Sequence, residues 1–352
     1  GLGAQLVAAR LVATAGRRSP AQRRAAEGDI LRIALVIGLI LTIGLALASP
    51  IVSGLLHLGS PWPVIALALS GVPVTVTFAA QGILQGEERF AALATAYTVA
   101  GVSRFSAGFV GGLLGFGTTG IMLLVALGWT VTATVAYALL PRGARPHRAV
   151  PWRLAAQILA AALPAAGLLV LSNLDVLLAR HHLSAEGSGT YLIGALFEKV
   201  AFWGPSFLAT LYYPRMARPA EREAAIVRAL GLTLGVGVAG VAVTWALGTP
   251  LVTIAGGQGY AVLGSHVWLW ALLGVLLALV QVLVYADLAV GDHRVGMAVW
   301  LAAAGLVVGV SLRHADPVDV VGTVLWGVAA LLGMAAILVF GRAARSVSRV
   351  VP

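Results

Sequence analysis

The sequence lacks cysteine altogether and has few charged residues. Without cysteine there is no disulfide and no thiolate metal site. Charged residues make up 10% of the 352 residues, whereas water-soluble domains contain about 25%. Apolar residues make up 60%, and the mean hydropathy is +0.96. Apolar runs of about 18 residues or more recur along the chain, as in membrane-spanning helices. The sequence therefore predicts an all-α polytopic membrane protein.

Polar breaks divide the apolar sequence into eleven predicted spans. They cover residues 1–15, 30–56, 62–84, 91–113, 118–140, 153–180, 189–213, 224–247, 262–288, 295–312 and 318–341. An initiator methionine and a signal-peptide pattern are also absent. We therefore expect that a further span precedes residue 1, which would make twelve.

The scarce charges are mostly basic and lie in alternate breaks. The formal net charge is +10, and breaks such as "PRGARPHRAVPWR" (141–153) carry most of it. The breaks between them, such as "GFGTTG" (115–120), are nearly free of Lys and Arg. The positive-inside bias places the basic breaks and the C-terminus in the cytoplasm. We expect a protein of the inner (cytoplasmic) membrane, with the lipid bilayer as its partner and no nucleic acid.

The two halves of the chain have a similar pattern of polar residues between their apolar spans. "GILQGEERFAALATAYTVAGVSR" (82–104) resembles "ADLAVGDHRVGMAVWLAAAGLVVG" (286–309), which aligns Arg89 with Arg294. Both halves start on the same predicted side, so the repeat is parallel, with its axis along the membrane normal. We predict an N-terminal lobe, a linker, a C-terminal lobe and a basic tail over 1–141, 142–152, 153–341 and 342–352.

Glycine-rich and histidine motifs do not indicate an enzyme. "GVGVAG" (235–240) has the spacing of a dinucleotide fingerprint but lies inside an apolar span with no strand before it. No nucleophile–histidine–carboxylate set is recognisable, and most histidines lie at predicted outer ends of spans, where interfacial placement is the simplest interpretation. These are His57, His181, His182, His266 and His314. We expect neither catalysis nor a metal or other cofactor.

Five charged residues inside predicted spans are candidates for a functional site, whereas others, such as Arg10 and Arg32, can snorkel to an interface. The five candidates are Arg104, Asp175, Glu198, Lys199 and Asp287. A charge at a helix centre costs about 2.5–3.5 kcal/mol against lipid, so these side chains should face one another or water. At a helical rise of about 1.5 Å per residue, all except Asp287 lie about 10–15 Å from the predicted outer turns. Asp287 lies near the predicted cytoplasmic end, where we expect access to water.

The positions of these charges predict specific ion pairs. Glu198 and Lys199 are adjacent, so their side chains diverge by about 100° and should not pair with each other. We expect Lys199 to face Asp175 across the helical hairpin, and Arg104 to approach Glu198. The alternative is a set of buried ion pairs that only fix the register of the helices.

Two segments resemble polysaccharide flippases of the multidrug/oligosaccharidyl-lipid/polysaccharide exporter superfamily. "NLDVLLARHHLSAEGSGTYLIGALFEKVAFWGPSFLATLYYPRMAR" (173–218) is similar to their seventh-to-eighth-span hairpin. "LQGEERFAALATAYTVAGVSRFSAGFVGGLLGFGTTGIMLLVALG" (84–128) is similar to their fourth to sixth spans. The resemblance implies two six-helix lobes around a central cavity that opens alternately to either side.

The resemblance also implies a cargo. Related flippases move undecaprenyl-diphosphate-linked sugars across the cytoplasmic membrane, and cationic side chains receive the headgroup. Here Arg104 and Lys199 would have that role, and Asp175 or Glu198 would couple transport to a proton or sodium gradient. These four residues form the predicted substrate cavity.

Three other functions remain open. A multidrug or cation antiporter of the same superfamily would favour an acidic, aromatic pocket in the first lobe, but the visible spans there contain no mid-membrane acid. A flippase for a lipid-linked peptidoglycan precursor is not distinguished by sequence. A non-transporting scaffold for a sugar polymerase would have closed ion pairs and no water-accessible cavity.

Overall fold

The computed structural model describes residues 2–13, 20–55, 58–140 and 152–347, and all regular structure in these ranges is helical. The chain divides into two compact units, Gly1–Ala162 and Leu163–Pro352. The boundary between the units falls inside a long helix. The predicted linker 142–152 lies outside the described residues except for Trp152.

Seven helices precede the boundary helix. They are α1 (Leu2–Ala13), α2 (Pro20–Leu47), α3 (Ser49–Leu55), α4 (Trp62–Ala68), α5 (Gly71–Gly86), α6 (Phe90–Leu113) and α7 (Thr118–Ala138). The boundary helix and those after it are α8 (Trp152–His182), α9 (Ala185–Met216), α10 (Arg222–Ala246), α11 (Gly248–Gly256), α12 (Trp268–Ala289), α13 (Arg294–Leu312) and α14 (Pro317–Val347). A 3₁₀ helix at Gln258–Ser265 joins α11 to α12.

Nine segments of the described chain are long and apolar enough to cross a membrane. They are Arg24–Leu47, Trp62–Gly86, Thr118–Ala138, Ala162–His182, Ala185–Met216, Arg222–Ala246, Trp268–Ala289, Arg294–Leu312 and Pro317–Gly341. Helix α6 fills the predicted span 91–113 with 24 residues but is less apolar and is not among the nine. Helix α1 is a shorter apolar helix at the position of the first predicted span. The prediction of a polytopic helical membrane protein is thus confirmed.

The order of helices repeats between the halves of the chain. Helix α2, with 28 residues, is followed directly by the seven-residue α3, and α10, with 25 residues, is followed by the nine-residue α11. Short turns join α5 to α6 and α12 to α13, at Arg89 and His293 respectively. This order supports the parallel repeat predicted from the pattern of polar residues between the spans.

Glycines allow the central helices to pack closely. In the first unit, a Cβ on Gly86 of α5 would lie 2.7 Å from the carbonyl oxygen of Ala9 in α1. In the second unit, α12 is buried along nearly its whole length, and a side chain at Gly274 would collide with the carbonyl of Glu198 in α9. In lipid, small residues permit the close backbone approach that holds helices together. Helix α12 therefore forms the centre of the second unit and the wall behind α9.

The access to water expected for Asp287 is not observed. Asp287 is 2% exposed, and its Oδ2 accepts a hydrogen bond from the backbone N–H of Val295 at 2.8 Å. Val295 lies in the first turn of α13, where backbone donors have no partner within the helix and where negative charge is stabilised. The carboxylate therefore caps the next helix instead of reaching solvent.

Candidate functional site

The α8–α9 hairpin brings together the polar residues of the second unit. The turn is closed by Ser184, whose Oγ accepts a hydrogen bond from the backbone N–H of Gly187 at 3.1 Å. This N-cap satisfies one of the donors that a helix start leaves open. We define the hairpin cluster as Ser172, Asp175, Tyr191, Glu198 and Lys199.

A lysine and a tyrosine bind the two carboxylates of the hairpin cluster. The Tyr191 hydroxyl donates to Asp175 Oδ2 at 2.9 Å. Lys199 Nζ lies 2.8 Å from Glu198 Oε1 and 4.0 Å from Asp175 Oδ1. The same ammonium donates to the backbone carbonyl of Ser172. The predicted contact between Lys199 and Asp175 across the hairpin is therefore present.

The prediction that Glu198 and Lys199 do not pair with each other is wrong, because Lys199 Nζ reaches Glu198 Oε1. Adjacent helical side chains diverge where they leave the backbone, but the four-carbon lysine stem is flexible. Helical side chains also lean toward the N-terminus of their own helix. For α9 this is the direction of the α8–α9 turn, where Asp175 lies, so the stem brings Nζ beside both carboxylates.

Burial differs sharply within the hairpin cluster. The side chains of Asp175 and Glu198 are 2% and 0% exposed, whereas that of Lys199 is 26% exposed. Asp175 Oδ1 and Glu198 Oε2 have no hydrogen-bond donor among the described residues. The ammonium thus lies at the rim of the cluster, and the carboxylates lie behind it.

Trp270 of α12 packs against Tyr191 of the hairpin cluster. The rings of Tyr191 and Trp270 meet edge to face, with centroids 5.5 Å apart. Gly194 permits this contact, since a Cβ there would lie 2.6 Å from two atoms of the Trp270 ring. The low polarity of these rings strengthens the electrostatic interactions between the neighbouring charged groups of the cluster.

The first unit contains a different charged site, on the α6–α7 hairpin. The Arg104 guanidinium carbon lies 4.8 Å from the ring centroid of Trp129 in α7, within the range of a cation–π interaction. Arg104 Nε donates to the carbonyl of Ala100 at 2.9 Å. One residue away, the hydroxyls of Ser103 and Thr132 lie 3.2 Å apart and join the two helices.

No carboxylate among the described residues pairs with Arg104. Its side chain is exposed, and its terminal nitrogens are open to a ligand. The predicted approach to Glu198 would join the two units and stays a prediction. The assignment of Arg104, Asp175, Glu198 and Lys199 to one substrate cavity also stays a prediction.

Aromatic and neutral polar partners were not predicted from the sequence. Tyr191 could have been found, because it lies about as far past the α8–α9 turn as Asp175 lies before it. Trp129 and Trp270 give no such signal, since aromatic residues are common in apolar spans.

Another group that was not predicted joins three helices of the first unit. Gln5 Nε2 donates to Gln85 Oε1 at 2.9 Å and to the Tyr97 hydroxyl at 2.7 Å.

Of the five histidines predicted to lie at the ends of spans, four lie at or next to helix ends, and His57 lies outside the described residues. The rings of His182, which ends α8, and His314, which follows α13, have centroids 4.5 Å apart. In the described part of the chain no group of three or more His, Cys, Asp or Glu side chains could hold a metal ion.

No family model and no curated protein sequence matches the chain. Solved structures do match over nearly its whole length. An outward-facing multidrug resistance MATE family transporter of the MOP superfamily has a TM-score of 0.80 and 15% identity, covering 100% of this chain and 85% of that one. A crystallised MATE variant has a TM-score of 0.83 and 15% identity, over 99% and 84% of the two chains. The fold is that of the MATE transporters.

A third structure with the MATE fold is a MOP superfamily transporter from Pyrococcus furiosus described as having a binding pocket of reversed polarity. It has a TM-score of 0.77 and 15% identity, and covers 99% of this chain and 84% of that one. These matches confirm the predicted two-lobed helical architecture. At such low identity they establish the fold alone.

Proposed function

We propose that the chain is a membrane transporter that flips a lipid-linked oligosaccharide of the undecaprenyl-diphosphate type across the cytoplasmic membrane, for surface polysaccharide assembly. The two-lobed MATE fold supports transport by alternating access, in which the lobes open in turn to either side. The negative charge of the cargo is supported by the chemistry of the first unit.

The observation that carries the proposal is the unpaired guanidinium of Arg104 above Trp129. A diphosphate loses its hydration on entering hydrocarbon, which is costly unless fixed donors replace the water. A guanidinium presents paired N–H groups that match phosphate oxygens. Glu87 and Glu88 follow the end of α5, and Glu27 and Asp29 lie near the start of the apolar segment Arg24–Leu47. No acidic residue of the first unit therefore lies at mid-span, where it would compete with a phosphate for Arg104.

The hairpin cluster supports a second role in the same cycle. Lys199 is occupied by two carboxylates and a carbonyl, so it is less suited than Arg104 to receive a phosphate. Asp175 and Glu198 are buried acids of the kind that mark ion relays in membrane transporters. We assign them to coupling with a cation gradient, and Arg104 to the headgroup.

A flipping assay tests the proposal. The purified chain is reconstituted in liposomes that contain undecaprenyl-diphosphate sugar with a fluorescent label on the sugar, and a membrane-impermeant quencher reports arrival in the outer leaflet. We expect Arg104→Ala to slow flipping about 10- to 100-fold, since a hydrogen bond to a charged group contributes about 1.5–3 kcal/mol. The exposed Arg313 provides the matched control, Arg313→Ala. An unchanged flipping rate in Arg104→Ala would contradict the assignment of Arg104 to the headgroup.

The multidrug or cation antiporter is the second candidate, favoured by the buried acids of the hairpin cluster and by the multidrug resistance transporter of the same fold. Uptake of a cationic dye into the same liposomes separates the two. Dye transport without sugar-lipid flipping would favour the antiporter, and a labelled peptidoglycan precursor as cargo tests the alternative flippase. Transport of none of the three would favour a scaffold.

A further inference from the structure

The hairpin cluster contains two carboxylates and one ammonium, all contributed by the α8–α9 hairpin. The acids are almost wholly buried, and each keeps one oxygen without a hydrogen-bond donor among the described residues. Two buried carboxylates side by side require a compensating cation, because an uncompensated charge in a buried site is strongly destabilising. The question is which cation supplies that charge.

We propose that the ammonium of Lys199 is a tethered cation that occupies the cation site between Asp175 and Glu198 and keeps free sodium out of it. The site itself does not depend on the proposed function. Its consequence for transport, the choice of the coupling ion, rests on the coupling role proposed above for Asp175 and Glu198. Without the Lys199 side chain, the same oxygens form a site for a sodium-sized monovalent cation.

The atoms around Lys199 Nζ are those that a hard cation binds. They are the Ser172 carbonyl oxygen, Glu198 Oε1 and Asp175 Oδ1, and hard cations prefer carbonyl and carboxylate oxygens. The Tyr191 hydroxyl donates to the opposite oxygen of Asp175 and so orients Oδ1 toward the shared position. Three oxygens from two helices thus converge where the ammonium lies.

The position of Lys199 gives it an advantage over a dissolved ion. The lysine is attached to α9 and does not lose translational freedom when it binds, so its effective concentration at the site is high. It is also the only partly exposed side chain among the three charged groups of the cluster. A sodium ion must therefore displace Lys199 before it reaches either carboxylate.

The charge balance of the cluster then selects the coupling ion. One ammonium against two carboxylates leaves one negative charge in excess. A proton on a carboxylate oxygen balances that charge without displacing Lys199, whereas a sodium ion needs the space that the ammonium fills. Coupling through the hairpin cluster therefore uses protons.

Thermal unfolding of the purified chain tests the proposal without any cargo. The Tm is followed by tryptophan fluorescence in NaCl and in choline chloride at equal ionic strength. We expect the wild type and Lys199→Arg, which keeps the charge, to have the same Tm in both salts. Lys199→Met should have a lower Tm in choline chloride and recover several degrees, in a saturable manner, with NaCl.

Two outcomes overturn the proposal: a wild-type Tm that rises with NaCl over choline chloride, or a folded Lys199→Met that does not respond to NaCl. If Lys199→Met does not fold in either salt, Lys199→Met with Asp175→Asn replaces it, because this pair removes one charge of each sign and leaves Glu198 at the vacated position. Its Tm must rise with NaCl. A Tm that contradicts the proposal does not change the result expected in the flipping assay. A chain that does not flip the sugar lipid can still show the expected Tm values.

Discussion

A single hydroxyl orients the acid at the centre of the second unit. Tyr191 is fully buried and donates to Asp175 at 2.9 Å, while its ring packs on Trp270. Burial removes water as an alternative donor, so the carboxylate depends on this bond for part of its stability. Tyrosine is therefore a polar component of the cluster and not only a packing residue.

We expect Tyr191→Phe to destabilise the chain by about 1.5–3 kcal/mol, the usual contribution of a hydrogen bond to a charged group. The ring and its contact with Trp270 are kept, so the loss reports on the hydroxyl. Thermal unfolding in detergent measures it, with Tyr137→Phe as the control because Tyr137 is 52% exposed. Equal Tm values for the two variants would show that the bond to Asp175 contributes nothing.

A charged residue in an apolar span is recognisable from the sequence as a functional candidate, but the sequence does not predict which side chains it contacts. Arg104, Asp175, Glu198 and Lys199 were found because each is expensive in lipid. The pairing of Glu198 with Lys199 was missed because directions around a helix describe where a side chain starts and not where a long stem ends. The role of Trp129 was missed because an indole in an apolar span is ordinary.

At the scale of helices, the second unit depends on the contact of α9 with α12. Gly194 and Gly274 remove side chains from the two faces that meet, and the carbonyl of Glu198 lies directly against α12. The backbone that carries the hairpin cluster is therefore positioned by packing on α12.

We expect Gly194→Ala to destabilise the chain by about 1–3 kcal/mol through overpacking, since its Cβ would lie 2.6 Å from the Trp270 ring. Gly204 lies on the same helix with nothing within 4 Å of a Cβ. Gly204→Ala should be neutral or stabilising by up to about 1 kcal/mol through helix propensity. Urea or thermal unfolding measures both. A Gly194→Ala variant as stable as Gly204→Ala would contradict the packing argument.

Hydropathy predicts that a span exists but not where it breaks. The predicted span 62–84 is two helices, α4 and α5, separated at Leu69 and Ser70. Ser70 Oγ donates to the carbonyl of Leu67 at 2.5 Å, which offers the backbone a local partner in place of helix continuation. The predicted span 30–56 is likewise divided into α2 and α3 just before Pro50. The first break coincides with a single side-chain hydrogen bond and the second with a proline. An average of hydropathy over a window does not register either feature.

At the scale of the whole molecule, the two units carry opposite kinds of mid-span charge. Arg104 of the first unit has no acidic partner among the described residues, whereas the second unit holds two acids and one lysine. Selectivity between cargoes depends on the difference between their affinities, so reversing one charge should change which cargo is accepted.

We expect Arg104→Glu to reduce flipping of the diphosphate sugar by more than the approximately 10- to 100-fold loss expected for Arg104→Ala, because repulsion is added to the loss of a donor. Uptake of a cationic dye should remain or increase. Arg104→Lys, which keeps the charge but not the fork of donors, should lie between the wild type and Arg104→Ala. The liposome assays measure both cargoes, and equal effects of Arg104→Glu on the two would contradict charge selection.

The turn between α12 and α13 has a consequence for how its helices can move. Asp287 on α12 holds the backbone N–H of Val295 on α13, so separating these helix ends would leave a buried carboxylate and a buried amide without each other. The corner is therefore stiff, and a displacement of α13 at this end carries α12 with it. In the alignment of Arg89 with Arg294, Gly82 takes the place of Asp287, so the matching position before the turn between α5 and α6 has no carboxylate.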